Sequence, residues 1–365
     1  MKWSLKLVRI AGIDVKIHLT FLLLLAWVGI AYGLGGLVLV VSLFAIVVLH
    51  EYGHALTARR FGIRTRDITL LPIGGVARLE RMPDDPKQEL LVAIAGPAVN
   101  VVLAVLLGSY LGRDAIAGIS SLTLFSGDFV MDLFKVNVTL AVYNLIPAFP
   151  MDGGRVLRAL LAMRMEYVTA TNVAATVGQA LAFVFGFLGL LHGNPIWMFI
   201  ALFVWMGAAG EASMVQMRSA LGGIPVRMAM ITEYQALSPD EPLARAVEHV
   251  LAGFQQDFPV VDGSGHVVGI LMRADLMAAL AKEGLEGRVG DIMKRDFSTA
   301  EPSEMTDLVF ARLNECQCHT LAVVQNDRLV GMVTAENVGE FLMIQSALRE
   351  RGKAGQRLGA RPIAP

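Results

Sequence analysis

From Leu19 to Leu49 the sequence contains no charged residue, and this apolar run constrains the fold more than any other feature. A helix needs about 20 apolar residues to cross the hydrocarbon core of a bilayer. The run is long enough for two crossings, and Gly33, Gly35 and Gly36 near its middle can form a tight helical hairpin. The sequence therefore predicts a chain that lies in a membrane.

Apolar runs of similar length recur until about residue 215, after which the sequence is typical of a soluble domain. Hydrophobic residues make up 55% of the 365 residues and charged residues 17%, with a mean hydropathy of +0.57. The net charge of -1 gives no reason to expect a nucleic-acid partner. We predict six membrane spans, at about 17–33, 35–56, 89–111, 129–149, 170–191 and 195–214.

Basic residues concentrate in alternate connections between these spans, which indicates the orientation of the chain. They are Lys2, Lys6, Arg9 and Lys16 before the first span; Arg59, Arg60, Arg64, Arg66, Arg78, Arg81 and Lys87 after the second; and Arg155, Arg158 and Arg164 after the fourth. With these segments inside, the chain is a multi-pass protein of the cell (inner) membrane. Both termini and everything after residue 215 are then cytoplasmic. No convincing cleavage site follows the first span, so we expect it to be retained.

A His-Glu-x-x-His motif, with His50, Glu51 and His54, ends the second predicted span. Histidines four residues apart project from one face of a helix, one turn apart, and can bind one zinc ion together. The glutamate between them then lies beside the open coordination position. The alternative is a chance match, but two buried histidines would each need a hydrogen-bond partner inside a membrane. The motif therefore predicts a metal site within the bilayer.

A catalytic zinc site takes three protein ligands, and Asp152 is the candidate for the third. Pro147 and Pro150 break the fourth span at the depth predicted for the histidines. The following glycines, Gly153 and Gly154, permit close approach of the backbone to a metal centre. The alternative is that Asp152 only caps the next helix.

Three segments in this order resemble the site-two protease family of intramembrane zinc metalloproteases, in its prokaryotic branch with a C-terminal pair of CBS domains. They are His50-Glu51-Tyr52-Gly53-His54, Gly96-Pro97-Ala98-Val99-Asn100, and the segment from Asn144 to Gly153 with its two prolines. The resemblance covers essentially the whole chain.

The resemblance implies one zinc ion per chain, held by His50, His54 and Asp152, with Glu51 as the catalytic carboxylate. It also implies that Asn144 contacts the substrate or the oxyanion, so we count Asn144 as a candidate catalytic residue; the alternative is that its side chain only binds neighbouring helices. Packing and substrate contact both remain open for Asn100. The implied substrate is a transmembrane protein or peptide in the lipid bilayer.

A transmembrane substrate must be unwound before attack, because its peptide bonds are hidden in helical hydrogen bonds. Asp67 to Glu80 predicts two short strands around a turn at Gly74 and Gly75. An exposed strand edge could pair with an extended substrate segment, and the resemblance implies a membrane re-entrant β-loop here. The alternative is an ordinary cytoplasmic loop whose arginines contact lipid headgroups.

Residues 224–345 contain an internal repeat of about sixty residues. Phe258–Val261 followed by Val267–Leu276 matches Leu321–Val324 followed by Leu329–Val338. Each copy predicts a helix, two short strands around a polar turn, and another helix, which resembles a CBS domain. Cys316 and Cys318 are two residues apart, a spacing that rarely suits a disulfide, so we expect reduced thiols.

CBS pairs often bind adenine nucleotides through a hydroxyl and an aspartate that follow the glycine of the repeat. The first copy keeps Asp275 but has Met272 at the hydroxyl position, and the second keeps Thr334 but has Asn337 for the aspartate. Nucleotide sensing and a structural role, including a homodimer through the CBS module, both remain open.

The predicted architecture is a polytopic α-helical membrane domain, with six transmembrane helices and a short β-hairpin, followed by an α+β tandem CBS module. The predicted boundaries are 1–215 for the protease domain, 216–226 for a linker, 227–346 for the CBS domains (227–282 and 288–346) and 347–365 for a disordered tail. The predicted activity is intramembrane zinc-dependent proteolysis under possible control of the CBS module. The alternative is a CBS-regulated transporter or channel.

Overall fold

The computed structural model describes residues 4–359, with the exception of 73, 81, 84, 116–127, 254 and 317. Arg81 and the last six residues of the predicted tail therefore lie outside the described residues. The chain divides into two compact units, Met1–Gln216 and Met217–Pro365.

The first unit combines a small sheet with long apolar helices. Its strands are β1 (Ser4–Ile10), β2 (Ile13–His18), β3 (Thr65–Leu71) and β4 (Gly74–Leu79). The helices that begin in it are α1 (Leu19–Arg60), α2 (Pro86–Leu111), α3 (Phe129–Asn144), α4 (Asp152–Ala162), α5 (Tyr167–Leu191) and α6 (Pro195–Leu221). Among the described residues, α1, α2, α5 and α6 are long and apolar enough to cross a membrane, whereas α3 has 16 residues.

The helix α1 consists of two arms that fold back on each other at Gly33. This glycine has φ 65° and ψ -161°, which is outside the helical region and readily accessible to glycine. The rings of Phe21 and Phe44 are 4.4 Å apart, whereas the same residues in a straight helix would be separated by about 35 Å. The glycine-rich stretch therefore makes the turn that its composition predicted.

The sheet has the order β1-β2-β3-β4, in which β2 and β3 are parallel and the other neighbours are antiparallel. The sequence predicted only two strands here, with the turn at Gly74 and Gly75, but both glycines lie in β4. The two additional strands, β1 and β2, are formed by N-terminal residues that the sequence analysis had described only as a basic segment. They are held because Ile13 and Val15 pack against α1 in a common core.

The side chain of Asp67 joins three strands of this sheet. It accepts hydrogen bonds from Lys16 on β2 and from Arg78 on β4, each with an N–O distance of 2.7 Å. Burial raises the pKa of Asp67, but these two cations outweigh it and hold the pKa below its usual value. The ionised carboxylate therefore fixes β4, the edge strand, to the rest of the sheet.

The second unit contains two sheets and short helices. Its elements are α7 (Leu243–Ala252), β5 (Phe258–Val261), β6 (Val267–Leu271), α8 (Arg273–Glu283), α9 (Val289–Ile292), β7 (Thr299–Ala300), α10 (Thr306–Cys316), β8 (Thr320–Gln325), β9 (Arg328–Thr334) and α11 (Ala335–Gly359). The strands form a two-stranded sheet, β5-β6, and a three-stranded sheet, β7-β8-β9.

Each repeat of the second unit extends the sheet of the other repeat. Ile231, from the beginning of the first repeat, exchanges two backbone hydrogen bonds with Met332 on β9. Lys294, from the beginning of the second, does the same with Ile270 on β6. The crossing segments pass closely over Gly331 and Gly269, where a Cβ atom would approach the carbonyl oxygens of Ile231 and Lys294 within 2.9 and 3.1 Å.

The structure departs from the sequence interpretation at three points in this region. The helix α6 continues into the predicted linker as far as Leu221, because the glycines that end it come only afterwards. The helix α11 extends to Gly359, so residues 347–359 of the predicted disordered tail are helical; no proline interrupts this segment, and Gly352 and Gly355 do not end the helix. Cys316 and Cys318 are joined by a disulfide, so the expectation of separate thiols was wrong.

Candidate metal centre

The second arm of α1 brings His50 and His54 together on one buried face. Both side chains are almost fully buried, and their Nε2 atoms are 3.1 Å apart. This geometry follows from the spacing of four residues, which returns to nearly the same side of a helix after one turn.

The third ligand candidate, Asp152, is the first residue of α4 and is also buried. Its Oδ2 atom lies 3.1 Å from Nε2 of His50 and 3.1 Å from Nε2 of His54. The segment before α4 folds tightly enough that a side chain at Gly153 would collide with the backbone of Leu145 and Ile146. The glycine after the aspartate therefore permits the turn that carries Asp152 back to the histidines.

These three donor atoms fit a zinc ion. They form a triangle with sides of 3.1 Å. Zinc bonds of 2.0–2.1 Å in tetrahedral geometry separate neighbouring ligands by about 3.3 Å, close to the observed spacing. A Cβ atom at Gly96 of α2 would collide with the Nε2 atoms of both histidines, so glycine there keeps space beside the donors. Among the described residues, His50, His54 and Asp152 are grouped closely enough that they could hold a metal ion.

The Nδ1 atoms of the two histidines are held by α2. Nδ1 of His54 lies 2.7 Å from the carbonyl oxygen of Val92, and Nδ1 of His50 lies 2.5 Å from Oδ1 of Asn100. Asn100 in turn donates from Nδ2 to Oδ1 of Asn137 on α3, at 3.1 Å. Both asparagines are fully buried. The contact between Asn100 and His50 assigns this asparagine to the support of the site, a choice that sequence analysis had left open.

Glu51 is half-buried between the histidines, and the edge strand β4 passes directly beside it. A Cβ atom placed on Gly75 would lie 3.1 Å from Cγ of Glu51 and 3.6 Å from its Oε1 atom. A side chain at position 75 would therefore press against the carboxylate. Because Gly75 has no side chain, the backbone of β4 lies next to Glu51, which the sequence predicts as the general base.

The structure does not connect Asn144 with the three ligand candidates. It is the last residue of α3 and half-buried, and among the described residues its side chain makes no hydrogen bond. Asn137, which does connect to the site through Asn100, was missed by sequence analysis. A signal existed, because Asn137 is a polar residue inside an apolar run and such residues often bind neighbouring helices.

A second buried polar cluster lies around Arg158, which the sequence analysis had counted among the basic residues of a cytoplasmic connection. Arg158 is fully buried and contacts Glu89 on α2 at 2.8 Å from its Nε atom and Glu211 on α6 at 2.5 Å. The guanidinium also lies 5.1 Å from the centre of the Phe149 ring and 5.0 Å from that of Tyr167. This Arg158 cluster joins α4 to α2, α5 and α6.

In the second unit, the residues predicted to contact a nucleotide make other contacts. Asp275 forms an ion pair with Lys294 at 3.3 Å, and Lys294 also contacts the sulfur of Met272 at 3.4 Å. The hydroxyl of Thr334 accepts a hydrogen bond from the backbone N–H of Asn337. A ribose at the first position would have to displace Lys294 from Asp275.

Comparison with known proteins identifies both units. The family model for peptidase family M50 matches residues 38–113 and 116–185, and the CBS domain model matches 223–282 and 289–343. Zinc metalloprotease MJ0392 of Methanocaldococcus jannaschii is 30% identical over 342 residues, which cover 93% of this chain and 96% of the relative. A solved site-2 protease from the same organism is 37% identical, with a TM-score of 0.43, over 57% of this chain and 95% of that one.

Proposed function

The chain belongs to peptidase family M50 and is a zinc metalloprotease with a CBS pair, and we propose that it cleaves the membrane-spanning segments of other proteins. The observation that carries this proposal is the 3.1 Å triangle of donor atoms, of which the two histidine nitrogens lie on α1, a helix apolar enough to span a membrane, and the Asp152 oxygen lies at the start of α4. Ionisable side chains in such helices are costly and are usually retained for function.

We propose His50, His54 and Asp152 as the three ligands of one zinc ion per chain. When bound, this ion lowers the pKa of a water molecule towards neutrality and polarises the scissile carbonyl group. The two imidazoles enter as neutral donors through Nε2, since their Nδ1 atoms already contact Asn100 and the Val92 carbonyl. The Asp152 carboxylate supplies the single negative charge among the ligands.

Glu51 is the proposed general base and acid. Its carboxylate takes a proton from the attacking water and returns one to the departing amine, so that the peptide bond is hydrolysed without a covalent intermediate. The position of Glu51 between the two ligand histidines supports this role. Asn144 remains a proposed contact for the substrate or the oxyanion.

We further propose that an extended substrate segment pairs with the edge strand β4. The position of Gly75 beside Glu51 supports this, because a strand added at that edge would pass near the catalytic carboxylate. Backbone pairing would also replace the hydrogen bonds that the substrate helix loses when it unwinds.

Replacing Glu51 by Gln tests the enzymatic role. The isosteric amide cannot accept the proton from water, so we expect at least about a hundredfold loss of cleavage with zinc content unchanged. Glu80→Gln, an exposed neighbour of β4, makes the same charge change and serves as the control. The measurement is quantitative proteomics of the membrane fragments that accumulate in cells with each variant, together with zinc analysis of the purified proteins. Turnover of these fragments by the Glu51→Gln protein would remove Glu51 from its role.

The proposed topology has six spans, of which α1 contributes two and α3 contributes one, with both termini and the CBS module in the cytoplasm. The break at Gly33 and the alternation of basic segments support this arrangement. Reporter fusions at residue 120 and after residue 215 should read opposite sides of the membrane. The same side for both would contradict the six-span topology.

For the second unit, we propose that the CBS pair controls the protease. Binding of an adenine nucleotide and formation of a homodimer are the two routes by which it would do so. Calorimetric titration of the full-length protein with ATP, ADP and AMP separates them. Heat from any nucleotide favours sensing, whereas no heat from all three leaves the structural and dimeric role.

A further inference from the structure

Asn137 lies at the far end of a chain of side-chain hydrogen bonds that reaches His50. The chain runs from His50 to Asn100 and then to Asn137, whose Nδ2 atom lies 2.9 Å from the backbone carbonyl oxygen of Leu133. Its three side chains come from α1, α2 and α3, and each is buried.

The last acceptor of this chain decides the orientation of every group before it. A backbone carbonyl can only accept, so Asn137 must direct its NH2 group towards Leu133 and its Oδ1 atom towards Asn100. Asn100 must then donate from Nδ2, which turns its own Oδ1 atom towards His50. Facing an acceptor, Nδ1 of His50 carries the proton, and Nε2 is left with its lone pair directed at Asp152 and His54.

We infer that Asn137 is a positioning residue that selects the metal-binding tautomer of His50 through Asn100. This inference rests on the proposed zinc site, and it adds a residue that contacts neither the metal ligands nor the substrate. His54 has no need of such a relay, because its Nδ1 atom faces the Val92 carbonyl directly.

The inference implies that the orientation of the Asn100 side-chain amide depends on Asn137. An amide can rotate by half a turn, and His50 and Asn137 are the side-chain hydrogen-bond partners of Asn100 among the described residues. Once the Asn137 acceptor is removed, Asn100 is therefore free to present its NH2 group to His50. Nδ1 would then be the acceptor, and the proton would move to Nε2, where a metal ion should bind. An aspartate at position 100 has two acceptor oxygens and no NH2 group, so either orientation presents an acceptor to Nδ1 of His50.

The test uses full-length protein with Asn137→Leu, Asn100→Asp and the double variant. Zinc affinity is measured by competition with a chelator. We expect Asn137→Leu to bind zinc about ten- to a hundredfold more weakly, the range found when groups behind a metal ligand are lost. The Asn100→Asp change should restore most of that affinity in the Asn137→Leu background. Asn172→Leu, which removes an amide that contacts Gln216 instead, is the matched control and should bind zinc as the unchanged protein does.

A second readout does not depend on metal. Ring ¹⁵N chemical shifts of histidine report the tautomer, and they are measured in metal-free protein that carries Asp152→Ala, because the Asp152 carboxylate, 3.1 Å from Nε2 of His50, would otherwise hold a proton there in every variant. The His50 signals are identified by their disappearance in His50→Ala. In this background we expect Nδ1–H with Asn100 and Asn137 unchanged and with both replaced, and a substantial Nε2–H population with Asn137→Leu alone.

Unchanged zinc affinity in Asn137→Leu, or a double variant that binds no better than it, would overturn the inference, because a packing role is not rescued by a carboxylate at position 100. If the unchanged protein bound no zinc, the proposed function would fail, while the tautomer measurement would still decide the role of Asn137.

Discussion

The candidate metal centre and the Arg158 cluster both bury ionisable side chains in the first unit, and they differ in what they lack. In the Arg158 cluster a guanidinium lies between Glu89 and Glu211, so cation and anions are present together. At the metal centre two imidazole nitrogens and a carboxylate oxygen point at one another, all of them able to act as electron-pair donors. The Arg158 cluster already contains its cation, although Oε2 of Glu89 is buried without a hydrogen-bond partner among the described residues, whereas the candidate metal centre contains electron-pair donors and no cation.

The comparison predicts that the two clusters fail in different ways. The largest effect is expected for Asp152→Ala, which leaves zinc with two ligands and no ligand charge. We expect loss of bound zinc and a fall in cleavage of about a thousandfold or more, with little change in folding. The measurements are zinc stoichiometry of the purified protein and accumulation of membrane fragments in cells. Full zinc occupancy in this variant would show that another group is the third ligand.

Arg158→Met should have the next largest effect, and on stability rather than on chemistry. It leaves the Glu89 carboxylate buried without its cation, which typically costs 3–5 kcal/mol in the free energy of unfolding. The double variant Glu89→Leu/Arg158→Met removes the cation and the fully buried anion and leaves only Glu211, which is partly exposed, so most of the loss should be recovered. Denaturant-induced unfolding in detergent measures the free energy of unfolding of the single and the double variant. If the double variant were no more stable than Arg158→Met, the cluster would not be held mainly by its ion pair.

The smallest effect is expected at Asp67, a buried carboxylate outside the membrane-spanning helices. Asp67→Asn should cost about 1 kcal/mol, because it weakens the contacts with Lys16 and Arg78, whose side chains are themselves partly exposed to solvent. The depressed pKa means that Asp67 stabilises the fold above its unfolded pKa, and that this contribution disappears as the pH falls through the lower folded value.

The stabilities of the Asp67→Asn variant and the unchanged protein should therefore differ by a constant amount from pH 8 to about pH 5 and converge below about pH 4. Unfolding measured across this range checks the sign. A difference that widened on acidification would mean that the carboxylate is not held in its charged form.

Local patterns in the sequence were sufficient for the features that depend on neighbouring residues. The turn at Gly33 follows from the glycine-rich interruption of an apolar run, and the approach of His50 to His54 follows from helix geometry alone. The alternation in Ile13–His18 was also legible as a strand. The sequence analysis did not assign this strand, because its parallel partner, β3, lies about fifty residues later in the chain and local patterns do not indicate that pairing.

Features that depend on distant segments could not be predicted from the sequence. The sequence predicted that Arg158 lies in a cytoplasmic connection, because its partners Glu89 and Glu211 are 69 and 53 residues away and no local pattern indicates these contacts. The roles of Asn100 and Asn137 required the register of α2 against α1 and α3, which a sequence without its fold does not specify. The reverse holds for Asn144. The family resemblance predicted a catalytic role for it, but among the described residues its side chain makes no hydrogen bond that connects it with the site.

The exchanged segments of the second unit have a consequence for how this half of the protein can be dissected. A truncation that left a single repeat would strip one edge from its sheet and expose the amides that Ile231 or Lys294 had covered. The shortest fragment worth expressing therefore runs from before Pro225 to beyond Val338. Within it, Ile231 of the first repeat and Met332 on β9 of the second share two backbone hydrogen bonds, so a displacement of either segment has to break or strain this pairing.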